Sequence, residues 1–87
     1  MRRTVTWDPA ASDELLRLWL QESNKRNAIT IASHRIEQML RFGATIYGQP
    51  SGSDRTLTVA PLSVLYTVSD ADMLVTVWQV TWAPTSP

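Results

Sequence analysis

Polar and apolar residues alternate over Arg3-Thr4-Val5-Thr6-Trp7, with Arg3, Val5 and Trp7 on one side and two threonines on the other. This period of two in β-prone residues predicts a short strand. Asp8-Pro9 ends it and opens a helix, because a carboxylate at the cap position accepts orphan amides and Pro at the first helical position has no amide to orphan. The helix is expected over residues 9–22. Ala11, Leu15, Leu18 and Trp19 recur at spacings of three and four, Leu16 and Leu20 widen the stripe, and Asp13, Glu14, Arg17 and Gln21 take the opposite side. A polar break at residues 23–27 follows, with Asn27 as the expected cap of a second helix over residues 28–42. There Ile29, Ala32, Ile36, Met39 and Leu40 form one stripe, and Thr30, His34, Glu37, Gln38 and Arg41 the other face. The short break implies a helical hairpin, and Gly43 is placed to stop it.

Residues 43–54 contain all three glycines together with Ser and Pro, and read as a loop. Three β-like stretches follow at residues 55–59, 62–69 and 74–82, separated by Ala60-Pro61 and Asp70-Ala71-Asp72, turns short enough to join antiparallel neighbours. Val64, Tyr66 and Val68 share one face. Unbroken alternation in the last stretch puts Leu74, Thr76, Trp78, Val80 and Trp82 on one face as well. The predicted order is β-α-α-β-β-β: an α+β domain with a helical hairpin packed on a mainly antiparallel sheet. The expected domain is residues 1–82, and residues 83–87, without a packing signal, form a frayed, disordered tail.

Composition narrows the chemistry. A chain of 87 residues accommodates one core, since a domain this small buries only roughly 60% of its unfolded surface. With 44% apolar residues and four Trp, that core needs no staple, and with no cysteine there is no disulfide, thiolate metal site or Cys nucleophile. A reducing cytoplasm is the expected setting. The basic start, Met1-Arg2-Arg3, is not followed by the apolar stretch of a signal peptide, and no uncharged run approaches the roughly 18 apolar residues of a spanning helix, so no membrane association is expected. Eight Lys plus Arg balance eight Asp plus Glu. Proteins that grip nucleic acid through phosphates usually carry a basic excess, so strong direct nucleic-acid binding is not expected.

Several pieces, in order, resemble the RelE/ParE toxins of bacterial type II toxin–antitoxin systems. They are residues 5–11 (Val-Thr-Trp-Asp-Pro-Ala-Ala), the pairs Glu14-Leu15 and Leu18-Trp19, Ala32 with Arg35-Ile36-Glu37 and Leu40, and the stretches 55–59, 61–68 and 75–80. The resemblance implies a growth-inhibiting toxin of the plasmid-stabilisation kind, neutralised by a cognate antitoxin that docks on its hydrophobic surface, where Trp19, Trp78 and Trp82 are the candidate contacts. It implies one of two activities. RelE-like members cleave messenger RNA on the ribosome, whereas ParE-like members inhibit DNA gyrase without a nuclease mechanism. No cofactor or metal is implied by either.

Cleavage needs cations for the charged phosphorane and groups to move protons, which RelE-like members take from the sheet and from a Tyr or His near the C-terminus. Arg55 matches the first cation and is the candidate catalytic residue. Ser63 stands where the next arginine belongs, and Trp82-Ala83-Pro84 where a basic residue and an aromatic acid belong. A ParE-like, non-enzymatic action is favoured by elimination, with Arg55, Arg35 and Arg41 as candidate target contacts. The alternatives are a ribosome-dependent endonuclease and an inactive toxin fold that retains only antitoxin binding.

Each candidate has a plainer reading. Arg55 is equally an edge-strand charge that discourages aggregation. Tyr66, between Val64 and Val68, is expected in the core with its hydroxyl tethered. His34 is expected to be solvated, without a metal-spacing partner. Arg35, Glu37 and Arg41 look like an ordinary charged helix surface. Trp78 and Trp82, read as one face, suit core packing or a protein interface better than base stacking, since no basic residues interleave them.

Overall fold

The computed structural model describes residues 2–84. The elements are β1 (Thr4–Trp7), α1 (Pro9–Gln21), a 3-10 turn (Ser23–Lys25), α2 (Arg26–Tyr47), β2 (Gln49–Ser51), β3 (Asp54–Val59), β4 (Leu62–Ser69) and β5 (Leu74–Trp82). The strands form one mixed sheet in the order β1-β5-β4-β3-β2, antiparallel except for β1, which runs parallel to β5. A parallel neighbour requires a crossover, and the helical pair supplies it, so both helices lie on one face of the sheet. No helix among the described residues is long and apolar enough to cross a membrane.

The start of α1 follows local chemistry. Asp8 Oδ2 accepts the amide of Ala10 at 3.1 Å, with Pro9 in the first turn. The core lies between the helices and the sheet: Ala11 and Leu18 from α1, Ile29, Ala32, Ile36, Leu40 and Ala44 from α2, and Leu57, Leu62, Val64, Tyr66, Val75, Val77 and Val80 from the strands. Leu16 and Leu20 do not join it. Both are more than half exposed, because α1 turns only the line through Ala11, Leu15, Leu18 and Trp19 inward.

Four expectations need correction. Asn27 is not a cap: α2 begins at Arg26, and no side chain caps it. Gly43 does not stop α2. It takes non-helical angles (φ −149°, ψ 40°) and kinks the helix, which resumes to Tyr47. The expected loop therefore holds a final helical turn and a short fifth strand, β2, with the β2–β3 turn made by Gly52 at φ +65°, a left-handed conformation that suits glycine. Finally, Trp78 and Trp82 do not share a face. Leu65 pairs with Gln79 and Tyr66 with Val77, so Trp78 is the extra residue of a β-bulge. The bulge shifts the alternation by one: Val75, Val77 and Val80 all point into the core, while Trp78 is exposed on the opposite side of the sheet.

At the C-terminal end the Ala83 amide donates to the Pro61 carbonyl at 2.7 Å. The remainder of the expected frayed tail, residues 85–87, lies outside the described residues.

Candidate functional site

α1 and α2 diverge enough to leave an open groove of about 420 Å³ between them, reaching down to Trp7 at the end of β1. Its apolar walls are Leu15, Leu16 and Trp19 from α1 and Ile29 from α2, and its polar rim includes Thr30, Ser33, His34 and Glu37. Glu37 is fixed from two sides. Its Oε1 accepts the Trp7 indole N–H at 3.0 Å, and its Oε2 lies 3.8 Å from the Arg41 guanidinium one turn further along. The groove thus joins an indole, a leucine wall and an oriented carboxylate, a combination that accepts an apolar side chain together with a donor or a cation.

Trp19 owes its position to Arg26. The Arg26 guanidinium stacks 4.3 Å from the centre of the indole, and its Nε donates to the Trp19 carbonyl at 2.9 Å, so one side chain caps the end of α1 and holds the aromatic wall. Arg26 is absent from the sequence-derived candidates, because a basic residue in a polar break looks like solvated turn. The available signal is its position just past a helix end carrying an aromatic residue.

Arg55 does a parallel job for α2. It lies on the helix-facing side of β3, and its Nη2 donates to the carbonyls of Gly48 at 2.7 Å and Thr45 at 3.1 Å. Its Nε is buried without a partner among the described residues. Beside it Tyr66, fully buried, donates its hydroxyl to the Ala44 carbonyl at 2.6 Å, the tethered core tyrosine expected from the sequence.

The three candidate arginines do not converge. Arg35 is exposed on α2, Arg41 is half-buried against Glu37, and Arg55 sits beneath the last turn of α2. The three candidate tryptophans are separate as well. Trp19 lines the groove, and Trp82 lines a smaller hollow with Lys25, Ala28 and Pro61. Trp78 lies on the outer sheet face, its indole N–H donating to Thr67 Oγ1 at 2.8 Å. That outer face is dressed in hydroxyls, among them the Thr58–Ser63 pair at 3.0 Å, and Ser63 occupies the position where the resemblance calls for arginine. His34 is exposed, as expected. Among the described residues, no cluster of three or more His, Asp or Glu is placed to hold a metal.

One charged pair on α1 is well formed. Glu14 and Arg17 meet through both guanidinium arms, and the hydrogen bond with the cation's field holds the Glu14 carboxyl below its ordinary range. Both groups are solvated, so the pair stiffens the outer face of α1 without bearing on the groove chemistry.

No family model matches the sequence, and no curated protein matches it. Solved structures do. The chain superposes on one from the toxin–antitoxin complex RelBE2 of Mycobacterium tuberculosis with a TM-score of 0.78 at 17% identity, covering 94% of this chain and 99% of that one. It superposes almost equally on a chain of the chromosomal ParDE toxin–antitoxin system from P. aeruginosa, with a TM-score of 0.77 at 15% identity, covering 94% and 97%. The chain has the fold of the RelE/ParE toxins. The isolated E. coli RelE toxin is more distant, with a TM-score of 0.59 at 19% identity over 97% of this chain and 87% of that one. The two nearly equal scores come from a RelBE2 and a ParDE system, so the fold alone does not separate the two.

Proposed function

We propose that the chain is the toxin of a type II toxin–antitoxin pair, that it acts by binding and inhibiting a macromolecular target such as DNA gyrase, and that a cognate antitoxin covers the groove between α1 and α2. The observation that carries this reading is the end-to-end agreement in fold with chains from two toxin–antitoxin complexes. The cytoplasm follows as the working compartment, since gyrase and the ribosome are both there.

The side chains favour binding over RNA cleavage. Cleavage calls for cations and a proton donor clustered on an accessible surface. Here the Arg55 Nη2 is committed to two helix carbonyls, the Tyr66 hydroxyl is buried on a third, and Ser63 faces hydroxyls. Arg35, exposed on α2, and Arg41, beside Glu37, remain the candidate contacts for a protein target.

Tightly induced expression in bacteria, with and without co-expression of a candidate antitoxin from a neighbouring reading frame, tests the pairing, and growth arrest relieved by the antitoxin is expected. Purified chain is then assayed for inhibition of gyrase supercoiling and for cleavage of messenger RNA on translating ribosomes. Inhibition without cleavage is the expected result. Ribosome-dependent cleavage would overturn the non-enzymatic reading, and normal growth despite soluble protein would leave a toxin fold that only binds antitoxin.

A further inference from the structure

The groove between α1 and α2 is apolar at one end and polar at the other. The hairpin brings Trp19 of α1 beside Ile29 near the start of α2, and at the far end Trp7 and Ser12 lie with Glu37. Ile29, Ser33 and Glu37 follow one another at intervals of four and mark a line up the groove side of α2. Eight residues separate the first from the last, roughly 12 Å along the helix axis. Among the described residues that line the groove, Glu37 is the one carboxylate, and neither Lys nor Arg is present.

That carboxylate is only half satisfied. Its Oε1 accepts the Trp7 indole N–H at 3.0 Å, which fixes its direction. Its Oε2 accepts no hydrogen bond among the described residues: the Arg41 guanidinium stands 3.8 Å away, beyond the roughly 2.7–2.9 Å of a charge-assisted bond. Solvent serves this oxygen while the groove is open, since the Glu37 side chain is 39% exposed. A partner lying in the groove takes that solvent away. An ionised oxygen covered without a donor costs more than a neutral one, so the partner must bring a donor of its own. A cation is the donor that also answers the charge.

We infer that the occupant of the groove is an amphipathic helix that seats an apolar pair against Leu15, Leu16 and Trp19 and sets an Arg or Lys on Glu37 Oε2. The inference rests on the reading of this groove as the antitoxin's site, and adds what the docking segment must carry. A helix lying along α2 has the same rise per residue, so the cation falls about eight positions from the first apolar anchor. The charge also sets direction and register. A reversed helix puts its cation among the leucines and leaves Glu37 covered and unpaired.

A displayed library of amphipathic helical peptides, panned on the purified chain, supplies the probe. The selected peptides are expected to share an apolar pair and a basic residue at that spacing. A synthetic peptide of the shared sequence is then titrated by fluorescence anisotropy against the parent chain and three variants. Leu16→Asp is expected to abolish binding, which places the peptide in the groove. Glu37→Gln keeps an acceptor for the Trp7 indole, so the fold survives, checked by circular dichroism. It is expected to weaken binding at least about tenfold, and a peptide with glutamine in place of its basic residue loses as much on the parent chain and nothing further on Glu37→Gln. Arg41→Gln removes the cation that competes for Oε2, and the basic peptide is expected to bind it at least as tightly as the parent. Equal binding to the parent and to Glu37→Gln, or peptides selected without the basic residue, overturns the inference while Leu16→Asp still shows the groove to be occupied. A loss with Arg41→Gln overturns it too, since Arg41 would then swing onto Glu37 and satisfy it from within. Panning that yields no binder, or only binders indifferent to Leu16→Asp, removes the groove reading and this inference with it.

Discussion

Arg55 and Tyr66 face each other across β3 and β4, and both reach off the sheet to the same end of α2. Arg55 takes the carbonyls of Thr45 and Gly48, and Tyr66 takes that of Ala44. A helix end leaves its last carbonyls without intrahelical partners, and these two side chains supply them. The cross-strand pair therefore explains why α2 resumes after the kink at Gly43: its final turn is held from the sheet.

Tyr66→Phe removes one donor and leaves the Ala44 carbonyl buried without a partner, since Ala44 and Tyr66 are both fully buried. A buried group left in this way costs about 1–3 kcal/mol. For a domain of this size each kcal/mol lowers the melting temperature by roughly 4–8 °C. Thermal unfolding by circular dichroism checks it. An unchanged midpoint would mean that the hydroxyl is replaceable by water and that Tyr66 acts through its ring alone.

Arg55→Ala should loosen the last turn of α2 selectively. Amide exchange is expected to rise over residues 44–48 before the core strands respond, with a loss of about 1–3 kcal/mol in urea unfolding, the range for hydrogen bonds to charged groups and their removal. This changes how a toxicity assay must be read. Relief of growth arrest by Arg55→Ala accompanied by lower stability assigns Arg55 to the fold. Arg55→Lys separates the roles: the ammonium keeps the charge but not the planar fork. Lost inhibition at unchanged stability would put the guanidinium on the target.

The main elements were legible because periodicity encodes burial directly, as Leu15, Leu18 and Trp19 in α1 and Ile29, Ala32 and Ile36 in α2 illustrate. The last turn of α2 was not legible. Gly43 and the Gly-Ser-Pro content after it are local signals for a loop, whereas Arg55 and Tyr66, which hold the turn, act from 10 and 22 residues away along the chain. The bulge at Trp78 was hidden for a similar reason, since alternation can be counted in sequence but the pairing partner that breaks it cannot. The groove was half legible: Trp19 is conspicuous, but Glu37 becomes a groove residue only through its bond to the Trp7 indole, 30 positions away.

Two glycines near that helix end should respond unequally. Gly48 has ordinary extended angles (φ −77°, ψ 166°), yet a Cβ there would overlap the Tyr66 hydroxyl and lie 3.1 Å from the Thr56 carbonyl oxygen. Gly48→Ala must push apart a buried ring and a strand backbone, an overpacking cost of about 1–3 kcal/mol. At Gly43 the Cβ would meet the Tyr47 ring at 2.6 Å, but that side chain is half exposed and can swing away. Gly43→Ala should therefore cost less than Gly48→Ala, because a half-exposed ring can give way where a buried ring and a strand backbone cannot. Paired urea titrations check the contrast, and equal losses would refute it.

The last prediction concerns which surface the antitoxin covers. Leu16 is 56% exposed on the groove wall, so Leu16→Asp leaves the core intact while placing a charge where an apolar side chain would dock. If the antitoxin fills the groove, its affinity should fall at least tenfold, about 1.4 kcal/mol or more, a modest cost for a buried interface anchor. Trp19→Ala should cost as much or more, but it also removes the platform under Arg26, so its unfolding midpoint must be measured alongside. Trp78→Ala probes the opposite side of the sheet and Trp82→Ala the hollow beside Pro61. Calorimetric titration of the four variants with antitoxin ranks the surfaces. Loss confined to Leu16 and Trp19 gives the groove alone, and comparable losses at all four give an antitoxin that wraps the sheet. Loss at Trp78 with Leu16→Asp unaffected would move the site to the outer face, where the bulge alone exposes an indole.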